Sequence, residues 1–182
     1  MVNIYKLKLT CLQQEILRYL YINAGKSFNA RNIAVGLEVS QPAISKALPQ
    51  LEKEGYVKVQ KDKLSKRLII ELNRENAYIV GLKRVDNLKQ LYDSGLVQFL
   101  YDSFAGATII LFGSYSLGED TITSDIDLTV IGIKEKKLDI SKFEKLLERT
   151  IIINYYDSLK NIDTHLLNNI LNGITLKGAV EL

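Results

Sequence analysis

Asp125 and Asp127 stand two apart in the run Ser124-Asp125-Ile126-Asp127-Leu128, ten residues after the pair Gly113-Ser114. Carboxylates at that spacing on an extended segment leave the same face, because strand side chains alternate. Two hard oxygen ligands on one face suit Mg²⁺, which is commonly held by one or two carboxylates together with the phosphates of a nucleotide. Gly113 and Ser114 would supply the phosphate side of such a site. Gly113 has no Cβ, so the backbone there can turn tightly and approach a ligand. Ser114 offers a hydroxyl, and the amides that follow can open a helix whose N-terminus attracts phosphate. A metal at this place would polarise an α-phosphate and activate an attacking hydroxyl.

Two strands must position these groups. Residues 107–112 form a short, β-branched apolar run that reads as a buried strand delivering Gly113 at its end. Residues 125–131 read as a second strand carrying both aspartates on one face. An exposed turn followed by solvated aspartates is the bland alternative, but Asp-Ile-Asp-Leu with carboxylates facing nothing would make a poor strand.

The whole run GSYSLGEDTITSDIDLTV, with its second glycine Gly118 and with Ser124 before the first aspartate, resembles the minimal nucleotidyltransferase branch of the DNA polymerase β superfamily. The resemblance covers roughly residue 85 to the C-terminus and includes a closing segment, NNILNGITLKG. It implies that Asp125 and Asp127 hold Mg²⁺ and serve catalysis. Gly113, Ser114 and Ser124 would bind the nucleotide, an NTP with ATP as the leading candidate. Members that transfer nucleotides usually carry a third carboxylate on a neighbouring strand. In this chain the corresponding stretch is Ile153-Asn154-Tyr155-Tyr156-Asp157, which sets Asn154 at the place of the third acid. An asparagine amide can ligate a metal but cannot take a proton as a general base. Leu117 is a second departure, standing where relatives often have a basic residue near the phosphates.

The front of the chain differs in charge. Residues 1–73 hold 12 Lys+Arg against 6 Asp+Glu, whereas the remainder holds 12 against 15. A basic part suited to nucleic acid and a mildly acidic part are hidden beneath an overall +3. The basic part has a regular pattern. Residues 10–24 carry a helical apolar stripe with Thr10 as N-cap, residues 29–37 a second short helix, and residues 41–54 a third, capped by Ser40 with Pro42 in its first turn. Gly55 ends that helix. Residues 56–59 and 67–72 then alternate as a hairpin around a polar turn at 61–66. Pro49, inside the third helix, should kink it.

Three helices and a hairpin, with the stretch VSQPAISKALPQLEKEGYVKV, resemble the winged helix-turn-helix domain of multiple-antibiotic-resistance-type regulators. The resemblance implies double-stranded DNA as partner, with Gln41, Ser45 and Lys46 reaching a major groove and Lys63, Lys66 and Arg67 of the wing on the backbone. It also implies a homodimer, since such domains read paired half-sites.

The expected architecture is α+β. It comprises a winged-helix domain at 1–73, a helical junction at 74–104 and a small mixed-sheet α/β nucleotidyltransferase-like domain at 105–182. In the junction, residues 84–103 read as one or two helices with Gly81 and Gly95 as breaks and with Leu88, Leu91, Tyr92, Leu96, Phe99 and Leu100 buried. A helix at 141–149, a strand at 150–156 and a helix at 162–172 complete the sequence reading. No run of about eighteen apolar residues is present to span a membrane. The start lacks an apolar signal core, and the single cysteine, Cys11, is expected buried as a thiol. These features point to a cytoplasmic protein. Two functions follow: a transcriptional regulator whose second domain binds Mg-nucleotide as a signal, or an active nucleotidyltransferase that modifies a protein, RNA or small-molecule hydroxyl. A degenerate domain kept as a dimerisation body is a third, blander reading.

Overall fold

A computed structural model describes residues 9–63 and 67–180. The chain forms two compact units, Met1–Ile79 and Val80–Leu182.

In the first unit, α1 (Cys11–Ile22), α2 (Ala30–Gly36) and α3 (Gln41–Lys53) precede an antiparallel hairpin of β1 (Val57–Lys61) and β2 (Leu68–Leu72). Polar side chains set the helix starts. Thr10 and Gln13 form a reciprocal capping box, as do Asn29 and Asn32, and Ser40 accepts from the Ala43 amide. α3 continues through Pro49 to Lys53. Ile16, Leu20, Ile33, Ile44, Leu51 and Ile70 are all essentially without exposure and make the core. Phe28 exchanges backbone hydrogen bonds with Ile70, adding a third short rung beside the hairpin. Cys11, expected to be buried, is instead exposed: it is the first residue of α1 and lies off the stripe that packs.

The second unit takes in most of α4 (Ala77–Asp93) and all of α5 (Leu96–Ser103). Gly95, in the left-handed conformation, separates them, while Gly81 lies within α4 and breaks nothing. Helix α4 therefore starts earlier than its apolar spacing suggested, and Tyr92, expected buried, is 52% exposed. The four-stranded sheet has the order β5-β4-β3-β6, from β3 (Thr108–Phe112), β4 (Ile126–Ile131), β5 (Ile151–Tyr156) and β6 (Ile174–Lys177). Strand β3 is antiparallel to β4 and β6, and β4 is parallel to β5, so the sheet is mixed. Strand β6 was not foreseen; its four residues fall in the expected closing segment.

Alternation along the strands sends side chains to two cores. Ile109, Leu111, Ile126, Leu128 and Val130 pack with Leu91, Leu100, Phe143 and Leu147, which belong to α4, α5 and α7 (Ser141–Leu147). Ile110 and Phe112 face the other way, against Leu159, Ile162 and Ile170 of the segment running into α8 (Thr164–Leu171). Asp127, Thr129 and Ile131 alternate onto that second face.

Candidate nucleotide site and nucleic-acid cleft

Strand β3 ends at Phe112, and the next residue begins α6 (Gly113–Leu117), a helix of little more than one turn. Gly113 has φ +71°, a conformation that glycine adopts without steric cost. A Cβ at this position would lie 2.5 Å from Asp127 Oδ2 and 3.3 Å from its Cγ. The glycine therefore serves the turn, and it leaves room for the carboxylate oxygen that a Cβ would displace. The pairing of Phe112 with Asp127 in the β3–β4 ladder fixes this juxtaposition.

Asp125 lies one residue before β4 rather than inside it. It stays near enough to Asp127 for its charge to matter: burial first, and the Asp125 carboxylate second, hold the Asp127 pKa above the usual carboxylate range. Ser114 is half-buried at the start of α6, and its carbonyl accepts from the Glu119 amide at 3.0 Å. The Ser124 hydroxyl accepts from the Thr121 amide at 3.0 Å, so it closes the turn that leads into Asp125.

The β4–β5 register corrects the position expected for a third acid. Asp127 stands across from Ile152, and Asn154 stands across from Thr129. The place beside Asp127 on the neighbouring strand is thus held by a partly exposed isoleucine, and Asn154 lies one strand repeat further on. Asp157 follows the end of β5.

These residues fit a Mg-nucleotide better than a metal alone. Among the described residues, no group of three or more His, Cys, Asp or Glu side chains could hold a metal ion. A pair of carboxylates leaves most of the coordination to waters and to nucleotide phosphates, which is how Mg²⁺ is usually held at phosphoryl sites.

In the first unit, Gln41 and Ser45 of α3 and Arg67 at the hairpin line one open cleft of about 400 Å³, together with Asn29, Arg31 and Leu68. Lys46 is exposed on α3 without lining the cleft, and Lys63 is exposed at the hairpin turn. Lys66 falls outside the described residues. Asn29 and Arg31, at the start of α2, were missed by the sequence reading. An arginine two residues after Asn29, in the first turn of α2, was the available signal.

No curated protein gives a significant match to this chain. Among solved structures it is similar to the adhesin competence repressor AdcR from Streptococcus pyogenes, with 24% identity over 54% of this chain and 69% of that one and a TM-score of 0.39. It is similar to ZitR from Lactococcus lactis, a zinc-responsive MarR family member, at 20% identity over 58% and 70% with a TM-score of 0.41. The S. aureus MepR–DNA complex matches at 23% identity over 52% and 81% with a TM-score of 0.38. The family model for the nucleotidyltransferase domain matches residues 94–175, which include Gly113, Ser114, Asp125, Asp127 and all of β3 to β5. The chain thus joins a winged-helix-like first unit to a nucleotidyltransferase domain at residues 94–175.

Proposed function

We propose that this chain is a DNA-binding regulator whose nucleotidyltransferase domain binds a Mg-nucleotide and uses it as a signal. One observation carries the nucleotide half of this reading: Gly113 lies against Asp127, whose charge neighbour is Asp125, with an isoleucine across from Asp127. Asp125 and Asp127 would hold Mg²⁺, Gly113 and Ser114 the phosphates, and Ser124 the turn between them. A divalent cation held by Asp125 and Asp127 would offset their repulsion and supply positive charge for the nucleotide phosphates. Transfer to an acceptor hydroxyl calls for a group that takes its proton and for ligands to a second metal ion. Ile152 supplies neither. The cleft supports the DNA half: Gln41 and Ser45 can reach base edges while Arg31 and Arg67 meet phosphates.

A thermal shift with Mg-ATP, Mg-GTP, Mg-CTP and Mg-UTP tests the nucleotide site, comparing wild type with Asp127→Asn. A ligand at a hundred times its dissociation constant adds about 2.7 kcal/mol to the folded state. The expected result is a shift in wild type alone, and only with metal. No shift with any of the four overturns the reading. The second reading, an active transferase, is favoured by the family match across the complete motif. Incorporation of label from an α-phosphate-labelled NTP into any acceptor would decide for it.

A further inference from the structure

The most deeply buried charges of the second unit lie outside the Asp125–Asp127 pair. Lys83 and Asp120 are each 1% exposed and Arg149 is 6% exposed. Lys83 Nζ donates to Asp120 Oδ1, and Arg149 Nη2 stands 3.9 Å from Asp120 Oδ2. Asn87, also buried, donates from Nδ2 to Asp120 Oδ1 at 2.7 Å and to the Tyr115 carbonyl at 2.9 Å. The Tyr115 hydroxyl donates back to the Asn87 carbonyl at 3.4 Å. Backbone packing reinforces the link. A Cβ on Gly118, the residue that caps α6, would fall 2.4 Å from the Val80 carbonyl oxygen and 2.7 Å from the Arg84 nitrogen, both of α4.

Removing such charges from water is costly, and apolar replacements of buried ion pairs are often neutral or stabilising. Stability alone therefore gives a weak account of this group. What its members share is α6. Lys83 and Asn87 come from α4, Asp120 from the loop leaving α6, and the Tyr115 carbonyl from α6 itself, two residues after Gly113. Gly113 in turn follows Phe112, the ladder partner of Asp127, and a Cβ on it would meet the Asp127 carboxylate.

We propose that Lys83, Asn87 and Asp120 are positioning residues: a buried ionic clamp that holds α6 so that Gly113 and Ser114 keep a fixed setting beside Asp125 and Asp127. The clamp rests on the reading of that pair as a Mg-nucleotide site. It acts on the phosphate side of the site and leaves the carboxylates alone.

The double variant Lys83→Met with Asp120→Asn removes one charge of each sign and keeps an oxygen to accept from Asn87. In the full chain, Mn²⁺ alone is titrated by electron paramagnetic resonance, followed by Mn-ATP. The clamp predicts wild-type affinity for Mn²⁺ alone and Mn-ATP binding weakened about tenfold, the lower end of what one lost hydrogen bond to a charged group costs. Asn87→Ser, which cuts only the ties of that amide, gives the same split and stands in if the double variant does not fold. Equal weakening of both ligands, or wild-type affinity for both, overturns the clamp while leaving the nucleotide site in place. A wild-type chain that binds no Mn-ATP overturns the nucleotide reading, and the clamp falls with it.

Discussion

Asp127 is subject to opposing demands. Burial and then the neighbouring Asp125 charge raise its pKa, so both work against its anion in the ligand-free protein. A carboxylate raised on folding costs stability as the pH climbs from the usual carboxylate range through its folded pKa, and costs nothing below that range. Asp127→Asn should therefore raise the melting temperature of the free protein at neutral pH, with the gain shrinking as the solution is acidified. Saturating Mg-nucleotide should reverse the order, because only the wild type then gains. A melting series against pH, with and without Mg-ATP, checks both signs. Ile152 makes a second case. Ile152→Asp would set a carboxylate across from Asp127, destabilising the free protein by like-charge repulsion while tightening Mn²⁺. Asn154→Asp, about 6.5 Å further along the strand, should leave Mn²⁺ affinity near wild type. Titration of the two variants separates them: equal gains would mean that the strand register does not decide which position serves the metal.

The glycines of the second unit show how differently one residue type acts within an element. Gly113 turns the chain from β3 into α6 at positive φ, with Asp127 where a side chain would go. Gly113→Ala should destabilise by about 1–3 kcal/mol from backbone strain and abolish the nucleotide-induced shift. Gly81 lies inside α4 with nothing within 4 Å of where a Cβ would stand. Gly81→Ala should stabilise by about 0.5–1 kcal/mol, the ordinary helix-interior difference between the two residues. Urea unfolding of both variants measures these opposite signs. Much at this scale was legible in the sequence because caps are local chemistry: Thr10 and Ser40 each announce a helix start and each caps one, while Asn29, read as the first residue of its helix, caps it instead. The approach of Gly113 to Asp127 was legible for a similar reason, since the apolar β3 run ends at the glycine and alternation in β4 sets the face of Asp127; Asp125, one residue before β4, lies outside that alternation. Alternation does not fix the offset between parallel strands. Residues 152 and 154 share a face, so only the ladder places Ile152 rather than Asn154 beside Asp127. Strand β6 was obscured by its length, since four residues give too little periodicity to see. The buried Lys83–Asp120 pair, 37 residues apart, had no sequence signal at all.

At the scale of the whole chain, the charge division sets the expectation for nucleic acid. Residues 1–73 carry twice as many basic as acidic side chains, so DNA binding should weaken steeply with salt as phosphate contacts release counterions. Arg31→Ala should lower affinity nearly equally for all sequences and flatten that salt slope by about one counterion. Gln41→Ala should instead change the ranking among sequences. Whether the nucleotide regulates DNA binding is a stricter question, because a ligand shifts an equilibrium only through a difference in affinity for its states. Linkage makes the answer measurable from both ends. If saturating Mg-ATP changes the DNA dissociation constant by some factor, saturating DNA must change the Mg-ATP dissociation constant by the same factor. A regulator is expected to show a factor of about 5–150 in both titrations, the usual range of allosteric coupling. A factor of one in each, with both ligands bound, would mean that the two units act independently on one chain and would overturn the signalling role while leaving both binding sites standing.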